Sequence, residues 1–255
     1  MPLRTSTPTF SDNVRGLQKI VRNELTRYGH SVFLLVVMLA NELIVLALAA
    51  YTKVGGLVGA LQFNSMTGLI LALGAVEVSF CQEYEYDTWP ATVCLPYARS
   101  VVLSGKLLAA LCVTIGILSL GLLSGAGFDC LMGKAGVRCQ AVTYAAAVVL
   151  HIAGFVPVVM LSALLAVTMK GGVRTAIVAA LLYMVDVSVF QNANQSRLLA
   201  IISRYTLADG ISSWTRLLAG QVAGVSLVHL LAKEATFSLL CFGATLYLIA
   251  VREVG

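Results

Sequence analysis

The run Glu83-Tyr84-Glu85-Tyr86-Asp87-Thr88-Trp89-Pro90 packs three carboxylates and three aromatic rings between two apolar stretches. It continues through Val93, Leu95, Pro96 and Arg99 to Lys106. Acids beside an indole and aliphatic side chains suit docking: Glu83, Glu85 and Asp87 can pair with bases, while Trp89, Val93 and Leu95 can enter a groove on a soluble partner. Pro90 suits a helix start and Pro96 a helix end. Arg99 and Lys106 can anchor the return of the chain at phosphate headgroups. The plain alternative is a loop whose charges only meet water. Nucleotide chemistry is not expected. A phosphate loop needs Gly-x-x-x-x-Gly-Lys followed by Ser or Thr, whereas Gly105-Lys106 runs on into leucines. No Ser/His/Asp set and no metal-ligand spacing converges, so neither a catalytic residue nor a metal site is expected.

Four ionisable residues fall inside apolar stretches: Glu42 (beside Asn41), Glu77, His151 and Asp186. Such groups cost about 2.5–3.5 kcal/mol at a helix centre on insertion scales, so they face the bundle interior, pair, or line a path. One reading has Asn41, Glu42, Glu77 and Asp186 lining a translocation path that favours amphipathic or cationic cargo. The other gives them interhelical hydrogen bonds. His151 is lone and reads as a satisfied core histidine rather than a proton relay. Cys130 and Cys139 share a glycine-containing loop and can form a disulfide if that side is oxidising.

These residues need a scaffold, and composition defines it. The chain has 255 residues, 59% hydrophobic and 11% charged, with a mean hydropathy of +0.90. Soluble domains carry about 25% charged residues, so an ordinary globular enzyme is excluded. Helices are the expected solution in lipid, because every backbone polar group must be satisfied within its own segment. The net charge of +5 comes without a dense basic face, so no nucleic-acid partner is expected. No signal peptide is evident.

One all-α transmembrane domain is expected over 1–255, with six spans at 31–51, 65–81, 101–124, 141–169, 175–190 and 235–251. Val14, Leu17, Val21, Leu25 and Tyr28 recur at helical spacing, with Arg15, Lys19, Arg22 and Arg27 mostly on the other side, which predicts an amphipathic helix over 13–30 lying in the membrane interface. Residues 217–232 are too short to span, so 191–234 is expected as an outer re-entrant or interfacial segment. Five basic residues (Arg4, Arg15, Lys19, Arg22 and Arg27) precede the first span and one, Lys53, follows it. That asymmetry puts both termini in the cytoplasm. Segment 83–100 then faces inward and the loop with Cys130 and Cys139 outward.

The chain resembles the type-2 ABC transporter permeases. Their pattern after the second span is Glu-x-x-x-Gly-Thr, then Leu-Pro-x-x-Arg, then Gly-Lys-Leu-Leu. Here the residues are Glu83 to Thr88, Leu95-Pro96-Tyr97-Ala98-Arg99 and Gly105-Lys106-Leu107-Leu108, with Asp87 in place of the glycine. The resemblance implies an elbow helix at 13–30 and a cytoplasmic coupling helix within 83–100. It implies a separate ATPase subunit that holds ATP and Mg, and a second permease protomer, identical or not. The expected function is export of amphipathic cargo (peptide, antimicrobial or lipid-like) across a bacterial cell membrane. An ion-coupled secondary transporter using the intramembrane carboxylates is the alternative, although no internal repeat supports it.

Overall fold

Long, largely aliphatic runs leave the backbone one way to pair its own N–H and C=O groups in lipid, and the chain takes it. The computed structural model describes residues 10–51, 56–89, 92, 97–133, 137–192, 195–199 and 227–252, and the regular elements among them are all helices. In order these are α1 (Phe10–Gly29), α2 (Val32–Tyr51), α3 (Gly56–Val76), a π-helical turn (Glu77–Cys81), the single turn α4 (Gln82–Glu85), α5 (Arg99–Leu131), α6 (Val137–Met169), α7 (Gly172–Gln191) and α8 (Leu227–Arg252). Among the described residues, four helices are long and apolar enough to cross a membrane: α2, α5, α7 and α8.

The core lies where α3, α5 and α6 meet. Leu71, Val76, Phe80, Leu103, Leu118, Phe155 and Val159 are all buried there. A smaller cluster of Val45, Ala60, Leu122 and Ala126 ties α2 to α3 and α5. The outside is also apolar: Leu35, Leu39 and Leu43 on α2, Leu181, Met184 and Val185 on α7, and Leu239 and Leu240 on α8 are exposed. A belt of that extent is unfavourable in water and suits lipid or another protein surface.

Several boundaries differ from the sequence expectation, the second span among them, since α3 already begins at Gly56 instead of 65. The third span continues through the first half of the loop expected at 125–140 as one 33-residue helix, α5, whose last turn holds Cys130; Cys139 lies in the first turn of α6. Tertiary contact extends α5 past its glycines. Buried Asp129 accepts the Gly56 N–H at 2.7 Å, so its carboxylate serves the orphan donors and positive end at the start of α3. The last span likewise begins early. Residues 227–234, expected in the outer re-entrant segment, are the first turns of α8. Of the rest of that segment, Gln191 closes α7, and 193–194 and 200–226 lie outside the described residues.

Candidate functional site

α3 does not end at the polar run but widens into the π turn, where the Gln82 N–H reaches back to Glu77 O. A π turn loosens the regular ladder and turns carbonyls toward other partners. Side chains use three of them: Tyr28 OH donates to Ala75 O at 3.1 Å, Arg27 Nη1 to Val78 O at 3.4 Å, and Lys106 Nζ to Ser79 O at 2.8 Å. α4 then stops in a Schellman arrangement, with the Thr88 N–H on Glu83 O (2.9 Å) and the Asp87 N–H on Tyr84 O (3.4 Å). Asp87 holds the left-handed position with φ 52°. Asp tolerates that region better than most residues, so the tight turn survives the loss of the family glycine.

The turn delivers Glu83 into a buried charge cluster. Lys106 Nζ lies 2.7 Å from Glu24 Oε1 on α1 and 2.7 Å from Glu83 Oε1. Arg27 Nη1 adds contacts of 3.2 Å to Glu83 and 3.5 Å to Glu24. Lys106 is 1% exposed and Glu83 3%, a depth at which unpaired charge is untenable. Two acids and two bases balance. Ser79 Oγ donates to Glu24 Oε2 at 2.8 Å and also makes a short contact with the Tyr28 hydroxyl. Burial pushes the Tyr28 phenol well above its ordinary value, which keeps it a neutral donor.

On its other side the segment grips the α6–α7 turn. Glu85 Oε1 accepts the Gly172 N–H at 2.8 Å, placing a carboxylate on the positive end of α7. Glu77 packs against the same glycine, where a Cβ would come within 2.8 Å of its Oε1. Lys170 Nζ sits 5.9 Å over the Tyr84 ring, and Cys81 Sγ meets Thr175 Oγ1 at 3.6 Å. Residues 77–89 therefore hold α1 and α5 through Glu83, and α7 through Glu85.

Three of the residues expected to face a partner turn inward. Glu83 and Lys106 belong to the charge cluster rather than to a docking surface or the headgroups. Trp89 is 7% exposed, stacked on Tyr84 at 4.7 Å between centroids and 6.2 Å from Phe80. Burying an indole among rings releases more free energy than leaving it in water. Glu85, Asp87, Thr88 and Arg99 remain exposed, as does Tyr86, which is 72% exposed. Val93, Leu95 and Pro96 lie outside the described residues. Glu24 and Ser79 were not singled out from the sequence, nor were Arg27 and Tyr28 as cluster members; Arg27, expected on the basic face, reaches Glu83 and Glu24 instead. Their signal was there for Glu24 and Tyr28, which share the Gly16–Ile20 face of α1; an acid on the inward face of a basic helix needs a buried base.

The intramembrane polar residues do not converge. Asn41, 1% exposed, accepts a hydrogen bond from Thr67 Oγ1 at 3.0 Å, and Asn64 Nδ2 donates to Leu118 O at 2.9 Å. Glu42 accepts from Ser124 on α5. Glu77 sits at the start of α7, and Asp186 lines a separate cavity of about 250 Å³ with Leu69, Ser162, Tyr183 and Phe237. Asn41 and Glu42 thus each make a hydrogen bond to a neighbouring helix, Asn41 to α3 and Glu42 to α5. The side chain of His151 lies outside the described residues. Cys130 is a free thiol, and the side chain of Cys139 lies outside the described residues. Among the described residues no cluster suits a metal ion.

Several apolar helices around a polar hub on the α3–α5 connection define a multi-pass membrane protein. Residues 17–187 match the family described as ABC-2 family transporter protein, and the chain belongs to that family. It is thus the membrane permease of a type-2 ABC transporter, a family that works with an ABC ATPase subunit. No curated protein and no solved structure matches it.

Proposed function

We propose that this chain is the driven subunit of an ATP-powered exporter. A separate ATPase, holding ATP and Mg, pushes on segment 83–100, and the push reaches α1, α5 and α7 together. The observation that carries this reading is Lys106, joined at 2.7 Å to both Glu24 and Glu83. A hub that binds three helices at one point transmits displacement instead of absorbing it, because charged groups buried this deeply cannot separate cheaply.

In this reading α1 is an elbow helix on the cytoplasmic face, α2, α3, α5, α6, α7 and α8 make six crossings, and both termini are cytoplasmic. Tyr86, Glu85, Asp87 and Thr88 form the described part of the surface offered to the ATPase, with Val93, Leu95 and Pro96 completing it. Trp89 stiffens that surface from beneath. Two permease protomers enclose the path for amphipathic cargo. The separation of Glu42, Glu77 and Asp186 argues against an ion-coupled carrier, which needs convergent carboxylates.

The test is the permease purified with its ATPase and reconstituted in vesicles. Trp89→Ala is expected to insert normally and keep ATP hydrolysis while transport falls. Transport at the unmodified rate, or full transport by the permease without an ATPase, would overturn the assignment.

A further inference from the structure

α1 carries three faces. Gly16, Ile20, Glu24 and Tyr28 are buried against the protein. The approach is close because α5 offers a glycine where the helices cross: a Cβ on Gly105 would lie 2.7 Å from Ile20 Cγ2. One residue further round, a rotation of about 100°, Leu17, Val21 and Leu25 form a second stripe that stays partly or fully exposed. Beyond it stand Arg15, Lys19 and Arg22, all exposed. Since α5 departs from the crossing at Gly105, its next outward residue, Leu108, faces the second stripe across a gap. The result is an open groove of about 510 Å³ walled by Leu17, Val21, Leu25 and Leu108 and edged by Gln18, Arg22 and Thr26.

We propose that this groove holds one anionic glycerophospholipid of the leaflet in which α1 lies. The acyl chain covers the leucines and Val21, and the phosphate meets the Arg22 guanidinium with the Gln18 amide beside it. The chemistry of the two edges selects this occupant. An apolar wall next to membrane helices asks for hydrocarbon, and a guanidinium edge asks for a phosphate it can bind bidentately. The basic face of α1 also concentrates anionic lipid at that surface. Because the same helix presents Glu24 to Lys106, the lipid would brace the charge cluster from outside. The choice of the cytoplasmic leaflet rests on the orientation given under Proposed function; the binding itself does not.

The experiment reads retained lipid on the full chain, without an ATPase, so its failure is separate from failure of the driven-subunit reading. The chain is equilibrated with equal phosphatidylglycerol and phosphatidylcholine, and bound lipid is counted by native mass spectrometry. One surface cation contributes about a fivefold preference. The unmodified chain is expected to retain phosphatidylglycerol about fivefold over phosphatidylcholine. Arg22→Gln should abolish that preference, whereas Arg15→Gln, an equal charge change off the groove, should leave it intact. Leu108→Trp, which fills the groove, should lower retention of both lipids. No preference in the unmodified chain overturns the proposal. So does equal loss in Arg22→Gln and Arg15→Gln, which would mean diffuse surface attraction only.

Discussion

Lys106 reaches Glu24 and Glu83 from the first turns of α5, and each of the three comes from a different segment. Removing the ammonium leaves two carboxylates facing each other where water is scarce. Lys106→Met should therefore destabilise the protein by about 3–5 kcal/mol, read as a lower midpoint in denaturant-induced unfolding in detergent. Adding Glu24→Gln to that variant should recover part of the loss, since Arg27 still serves Glu83. A double variant weaker than the single would sink this account. Asp87 makes the opposite case. Its φ of 52° suits glycine, so Asp87→Gly should stabilise the turn by about 0.5–1 kcal/mol, the relief of left-handed strain being partly offset by chain entropy. An unchanged or lowered midpoint would show that the aspartate side chain offsets its own strain. Both residues were legible as members of a motif. Their roles were not, because a motif fixes spacing in sequence, and inward or outward direction is set by a π turn that no spacing reveals.

α7 begins at Gly172, and the first partner of its free N–H groups is Glu85 from the other side of the hub. Glu85→Ala should cost about 1 kcal/mol at this helix start. Amide exchange is expected to quicken at Gly172 and its neighbours while α2 is unaffected; unchanged exchange there would remove the link between the hub and α7. Helix α5 shows the same logic in packing. Gly121 faces Asn41, and a Cβ added to it would lie 2.6 Å from Asn41 Nδ2, on an amide whose Oδ1 is held by the bond from Thr67 Oγ1. Gly121→Ala should cost about 1–3 kcal/mol by overpacking; a neutral midpoint would mean that the seam between α2, α3 and α5 has room to relax. Helical periodicity made α1 readable to within a few residues, because its apolar and basic faces separate cleanly. The ends of α5 and α8 were not readable. Asp129 and Lys233-Glu234 look like loop residues until tertiary partners, such as the Gly56 N–H for Asp129, absorb them.

At the scale of the whole molecule, length decides topology. The 33 residues of α5 extend roughly 50 Å at 1.5 Å each, well beyond a hydrocarbon core of about 30 Å even with tilt. Its two ends must emerge on opposite sides. Arg99 and Ser100, exposed at the first turn, then share a side with α1, the charge cluster and the α6–α7 turn. Cys130, at the last turn, lies on the other side with the start of α3. Composition announced a membrane bundle and the basic residues before the first span predicted which side faces inward; a continuous helix of this length ties that expectation to one rod. Hence a labelling experiment in intact cells reads the orientation of the entire bundle. With the other cysteines replaced, a membrane-impermeant maleimide should label Cys130. In a chain whose only cysteine is introduced by Ser100→Cys, it should label only once the cells are opened. Labelling of Ser100→Cys from outside would invert the bundle, put segment 83–100 beyond the reach of any cytoplasmic ATPase, and end the coupling assignment for Glu83, Glu85 and Trp89.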